Sequence, residues 1–188
     1  MTNRTTYHHG NLKQALIDAG LEILETEGLG RLSLRACAER AGVSHTAPKN
    51  HFGNVTGLLT AIAAQGFRRM TDRINAGDAA DRAARQHAAL TGYVAFAREN
   101  PALFALMFSP DKVDFHDPAI SEPLSHCANV LRSIAKTPSA PGQFGVEEMR
   151  IWSLVHGFAT LSLQGVFDKP GMRDIGIEDL MPEIGRTE

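Results

Sequence analysis

Between residues 33 and 52 the chain places two helix caps, a turn glycine and a proline within two helical spans, and no other stretch restricts its folding as tightly. Ser33 precedes the span 34–41 and Ser44 precedes 45–52. A serine in that place offers its hydroxyl to the free N–H groups of a first helical turn. Gly42 stands between the spans, where a left-handed residue turns the chain at no steric cost. Ala38 is small where the two helices must cross, and Val43 is the apolar plug of the turn. Pro48 falls at the end of the second helix's first turn, where a missing N–H costs least. With Leu34, Ala47 and Phe52 facing inward, His45, Thr46, Lys49 and Asn50 are left on the outer edge.

The rest of the chain repeats the helical period. Leu12, Leu16, Ala19 and Ile23 form one stripe, with Asn11 as its cap and Gly28 past its end. Asn54 opens a helix expected to reach Ile74, broken by Gly77 and Asp78. Further helices are expected over 79–99, 102–108 (begun by Pro101), 119–136 and 146–167, with a short one at 177–184. No alternating strand pattern of useful length and no internal repeat interrupts them. The fold class is all-α.

A chain of 188 residues with 43% hydrophobic content and a formal net charge of −2 buries a core and does not stay disordered. The start is polar, which argues against a secretory signal and makes the cytoplasm the expected compartment. Residues 151–167 are the most apolar stretch. At that length, interrupted by His156, Gly157, Gln164 and Gly165, they read as a helix buried on most faces and covered by a partner, not as a membrane span. Cys37 and Cys127 supply neither a disulfide framework nor metal-ligand spacing. The loop of Asp111, Asp114, His116 and Asp117 reads as solvated before it reads as a cation site. His126–Cys127 is the one pair worth testing for redox sensing. No catalytic constellation, metal site or cofactor motif is present, so no enzyme is expected.

Charge is uneven. Between residues 31 and 52, Arg31, Arg35, Arg40 and Lys49 face only Glu39, with His45 and His51 added, which points to an anionic partner at this end. Two short helices with such an edge have the geometry of a helix-turn-helix, whose second helix enters the major groove of DNA with its N-terminal residues on base edges.

The stretch from Asn11 to Ile62, NLKQALIDAGLEILETEGLGRLSLRACAERAGVSHTAPKNHFGNVTGLLTAI, resembles the DNA-binding domain of the TetR/AcrR family of bacterial transcriptional regulators nearly end to end. The lead-in Tyr7-His8-His9-Gly10-Asn11-Leu12 and the sequence Trp152-Ser-Leu-Val-His156-Gly157 are similar to a subgroup with a Trp…His-Gly signature in its C-terminal domain. The resemblance implies a three-helix DNA-binding domain over residues 1–55 and a helical effector-binding and dimerisation domain over 56–188. It also implies a homodimer reading half-sites of a near-palindromic operator, released when a small-molecule effector binds. Carried over by position, Ser33 and Arg35 touch phosphate and base, and Ser44, His45, Thr46, Lys49, Asn50 and His51 form the groove-facing set. Arg35 is the preferred base reader, through guanine O6 and N7, its competing role being an ion pair with Glu39. Arg4 reads as a terminal residue first and a minor-groove contact second.

This chain departs from the family at two positions: Lys49 stands where Tyr is usual and Val55 where Lys is usual. Val55 cannot contact a phosphate, and one contact fewer lowers the salt slope of binding by about 0.9 per half-site. The departures motivate a second reading, a helical small-molecule-binding protein that has lost specific DNA binding. For the effector, Phe96, Leu103, Phe104, Met107, Phe108, Trp152, Val155, His156 and Phe158 offer a mostly apolar lining. Each reads as core before it reads as ligand contact, and Trp152 and His156 share a helix face.

Overall fold

A computed structural model describes residues 12–75, 81–172 and 175–181. Its helices are α1 (Leu12–Glu27), α2 (Leu34–Arg40), α3 (Ala47–Phe52), α4 (Val55–Ile74), α5 (Arg82–Glu99), α6 (Pro101–Met107), α7 (Pro118–Ile134) and α8 (Val146–Leu163). Single 3-10 turns lie at Leu29–Arg31, Val166–Asp168 and Ile177–Leu180. No strand occurs among the described residues. The expected cap at Asn11, the break at Gly77 and Asp78, the start of a helix at Ala79, the lead-in motif and Arg4 all lie outside them.

Local chemistry sets most of the boundaries. Ser33 Oγ accepts from Ala36 N at 3.1 Å and starts α2. Asn54 Oδ1 accepts from Gly57 N at 2.9 Å and starts α4. Asp81 Oδ1 accepts from Ala84 N at 2.8 Å and starts α5. Gly28, at φ 82°, and Gly42, at φ 66°, take the left-handed region that ends α1 and turns the chain after α2.

Two expected spans shorten. The second helix of the turn motif begins at Ala47 and not at His45. Pro48 has no N–H to close an α-turn onto the Ser44 carbonyl, which accepts from Ala47 N at 3.0 Å instead. The helix expected to run to Phe167 stops at Leu163, because Gly165 at φ 68° redirects the chain. Phe167 then folds back to stack on Phe158, ring centroids 4.4 Å apart.

α1 and α3 pack against α4, and α2 packs against α1 and α3. The second half of α4 lies against α7 and α5, and α5 lies against α8. One continuous hydrophobic core runs through all of this, from Leu16 and Leu24 through Ile62 and Phe67 to Leu106, Ile120 and Ile151. The buried face of α8 consists of Glu148, Ile151, Val155, Phe158 and Ala159. Its other side is open in the single chain: Val146 is 88% exposed, and Met149, Leu161 and Leu163 are exposed as well. In the single chain α8 is buried on one face, and its outward side sets these apolar residues beside exposed Arg150 and Ser153.

Candidate functional site

The first part of the site is the edge of the turn motif. Cys37 and Ala38 are fully buried where α2 crosses its neighbours, and Val43 N donates to Ala38 O at 3.0 Å to tie down the turn. Arg40 bridges back to α1, donating to Glu22 Oε1 at 2.6 Å and to Glu27 Oε1. Held in this way, the motif presents Ser44, His45, Thr46, Lys49, Asn50 and His51 to solvent. Thr46, Lys49 and Asn50 are three and four apart and share one face of the helix. Ser44 Oγ meets Thr46 Oγ1 at 2.9 Å, so the two hydroxyls position each other.

At the start of α2, Ser33 is half-buried and uses its hydroxyl as the cap, while Arg35 is exposed. The Arg35 guanidinium donates from Nε to Glu39 Oε1 at 2.9 Å, and this pair raises the arginine pKa and lowers the glutamate's. An exposed pair of this kind is screened by solvent and opens at little cost to meet another anion. Val55, at the first turn of α4, is 44% exposed beside this edge.

The second part is a cavity of about 530 Å³. α4 contributes Phe67, Met70 and Ile74 to its wall, α5 contributes Tyr93, and α7 contributes Leu124, Cys127, Ala128 and Leu131. Phe108, Pro110 and Phe115, from the end of α6 and the loop after it, line a further side, and Phe144 and Trp152 complete the lining. Of the residues expected to contact an effector, Phe108 and Trp152 line this space. Phe104 and His156 stand behind the wall, their rings stacked 5.3 Å apart, and His156 also meets Phe108 edge-on at 4.5 Å. Phe96, Leu103, Met107, Val155 and Phe158 are buried in the core, outside the lining.

The polar groups around the cavity are held neutral. Tyr93 Oη and His156 Nδ1 hydrogen-bond at 2.9 Å across the space between α5 and α8. Burial raises the Tyr93 pKa and lowers that of His156, so the bond joins a phenol to an uncharged imidazole. Cys127 Sγ lies 3.0 Å from Thr71 Oγ1, and burial raises its pKa. Cys37 is pushed up to about 11 by the same cause. Both thiols are therefore protonated, the opposite of what the redox pairing of His126 with Cys127 requires. In the acidic loop, Asp114 Oδ1 accepts from His116 N and Asp117 Oδ1 from Ala119 N, so these carboxylates serve as turn and helix caps. Among the described residues no group of three His, Cys, Asp or Glu side chains could hold a metal ion.

Phe144 reaches the cavity from the connection between α7 and α8, which two glutamates at the start of α8 fasten. Glu147 accepts from Thr137 Oγ1, from Lys136 N at 2.8 Å and from Thr137 N at 2.9 Å. Glu148, fully buried, accepts through Oε1 from Ser139 N at 2.8 Å and Ser139 Oγ at 2.7 Å. The Thr137 hydroxyl, then the Lys136 and Thr137 N–H groups, bring the Glu147 pKa to about 2. A depressed carboxylate pKa contributes stability above its unfolded value of about 4.3, and that contribution is lost as pH falls from there toward 2. Thermal unfolding followed from pH 6 to pH 2 is expected to show wild type above Glu147→Gln at pH 6, with the gap closing below about pH 3. A gap of constant size would refute the assignment.

With both parts in place, comparison with known proteins gives the class. Residues 86–181 match the family model for the tetracyclin repressor-like C-terminal domain. The chain belongs to the TetR family, whose members are DNA-binding transcriptional regulators and not enzymes. It is similar to a protein of unknown function from Rhodococcus sp. RHA1, with 30% identity, a TM-score of 0.72, and 94% of this chain and 93% of that one covered. It is 24% identical over 160 residues to the uncharacterized HTH-type transcriptional regulator Rv0681 of Mycobacterium tuberculosis (strain ATCC 25618 / H37Rv), across 83% of this chain and 72% of that protein. The fold is also shared with the multidrug binding protein EbrR complexed with ethidium, at 19% identity and a TM-score of 0.60, covering 93% of this chain and 99% of that one. No helix among the described residues is long and apolar enough to cross a membrane.

Tyr93, Phe67, Met70 and Leu124 were not legible as site residues. Tyr93 is one of only two tyrosines in the chain, and its polar tip within an apolar helix face was the one available signal. Its partner His156 lies 63 residues away, beyond any local pattern.

Proposed function

We propose that the chain acts in the cytoplasm as a homodimeric repressor that leaves a near-palindromic operator when a small molecule fills the cavity. Residues 1–55 form the reading domain and 56–188 the sensing and dimerisation domain. Ser33, Arg35, Ser44, His45, Thr46, Lys49, Asn50 and His51 meet the DNA, with Arg35 exchanging Glu39 for guanine. The outward side of α8, with Val146, Met149, Leu161 and Leu163, pairs with its copy in the second subunit as half of a four-helix bundle. The observation that carries this reading is the continuity of α4, whose first turn abuts the end of α3 and whose later turns supply Phe67, Met70 and Ile74 to the cavity. A ligand that binds better to the arrangement unable to read DNA shifts the population toward release. EbrR, on the same fold, binds ethidium, which supports a ligand-responsive role for the cavity.

Fluorescence anisotropy across a salt series, with the DNA upstream of the protein's own gene and random-sequence selection to find further sites, tests the reading. Specific sites are expected to bind about a thousandfold tighter than scrambled duplex. Arg35→Ala is expected to weaken specific binding about 10- to 100-fold and to leave scrambled-duplex binding nearly unchanged. Equal affinity for every duplex, after selection has recovered no preferred sequence, would overturn the proposal in favour of a ligand-binding protein without specific DNA recognition.

A further inference from the structure

The cavity has a charge character that narrows its ligand. None of its lining residues is Asp, Glu, Lys, Arg or His. Six lining residues are aromatic: Phe67, Tyr93, Phe108, Phe115, Phe144 and Trp152. Their rings pack against one another and against the neighbouring histidine, with Phe67 on Phe108 at 5.4 Å and Phe144 on Trp152 at 6.1 Å. Of the polar atoms at the wall, Tyr93 Oη is engaged with His156 and Cys127 Sγ with Thr71. An ion entering this space gives up part of its hydration and meets no charged lining residue, a cost that cation–π attraction to the rings only partly offsets. An apolar ring system gains from every surface that it covers.

We propose that the ligand of this cavity is an uncharged, predominantly hydrophobic, ring-containing molecule, and that the cavity discriminates against cations and anions of the same shape. The inference rests on reading the cavity as the effector site. It also separates this chain from its fold neighbour EbrR, whose bound ethidium is a cation.

A matched set of two-ring probes tests it: biphenyl-4-methanol, biphenyl-4-carboxylate and biphenyl-4-methylammonium, titrated into the full-length protein at pH 7. Calorimetry gives the affinities. Emission of Trp152, the only tryptophan in the chain and a cavity residue, reports occupancy. The alcohol is expected to bind at least about tenfold tighter than either ion. Ala128→Phe, which projects a ring from α7 into the space, is expected to abolish its binding, and Ala128→Leu to weaken it. Circular dichroism melts establish that each variant is folded. If an ion binds as tightly as the alcohol and Ala128→Phe still blocks it, the ligand class is wrong and the effector site stands. If no probe binds, or binding ignores a folded Ala128→Phe, the effector-site reading fails and the proposal fails with it.

Discussion

Gly57→Ala is expected to weaken specific operator binding about 100-fold or more while leaving ligand binding to the cavity intact. A Cβ built on Gly57 would stand 2.1 Å from the carbonyl oxygen of Phe52, the last residue of α3. That oxygen is backbone, and it also accepts from Asn54 N at 2.8 Å, so no side-chain rotation relieves the clash. The end of α3 must shift by about 1 Å to restore an ordinary contact, and overpacking of this kind costs about 1–3 kcal/mol. The larger effect is on reading, because hydrogen bonds to base edges hold only within a narrow range of length and angle. Loss of two good base contacts, at about 1–3 kcal/mol each, suffices for the fall in affinity. Anisotropy on the specific duplex gives the loss, and sedimentation with circular dichroism shows whether the protein is otherwise intact. An affinity within about threefold of wild type would show that α3 is not held by this contact.

Ile62→Ala is expected to destabilise the protein by about 3–4 kcal/mol and to lower its Tm by about 10 °C. Ile62 is fully buried where α4 crosses α1, and a Cβ on Gly20 would lie 2.5 Å from its Cδ1. The isoleucine therefore fills the space that Gly20 leaves, and truncation opens a cavity in a junction with little freedom to collapse. The same contact predicts non-additivity. Gly20→Ala alone overpacks the crossing, whereas Ile62→Val removes the atom in its way, so the double variant is expected to lose less than the sum of the two by at least about 0.5 kcal/mol. Denaturant unfolding at fixed protomer concentration measures all three variants, and strict additivity would rule out the proposed fit between Gly20 and Ile62.

What could be read from the chain alone was local chemistry. Ser33 and Asn54 start their helices within hydrogen-bond reach of their own next turn, and Gly28 and Gly42 end theirs by a conformation that is a property of the residue. The edge from Ser44 to His51 was legible because a short helix between a capped turn and a partly buried phenylalanine that packs on the core has only one side to offer. Where local rules competed, the boundary moved. Ser44 does order the first turn, but Pro48 denies it an α-helical partner, and the 3.6-residue period through Phe167 hid the effect of Gly165. The cavity was not legible, because its wall is assembled from four helices and two connections. Hydrophobicity ranks Phe96 and Met107 as highly as Phe67 and Met70. Only packing decides which pair closes the core and which faces the empty space.

The dimensions of α4 carry a consequence of their own. A helix of 20 residues is about 30 Å long, and this one is anchored among cavity residues at one end and against α3 at the other. It behaves as a lever with unequal demands at its two ends. A tilt of about 5° pivoted at the cavity end amounts to a side-chain rearrangement there, yet over that length it carries the far end about 2.6 Å. That displacement approaches the whole length of a hydrogen bond to a base. Under the proposed function, a ligand would need to adjust packing around the cavity by only tenths of an ångström per turn to move the far end out of register with DNA, so the sensitivity of the device would lie in the length of one uninterrupted rod.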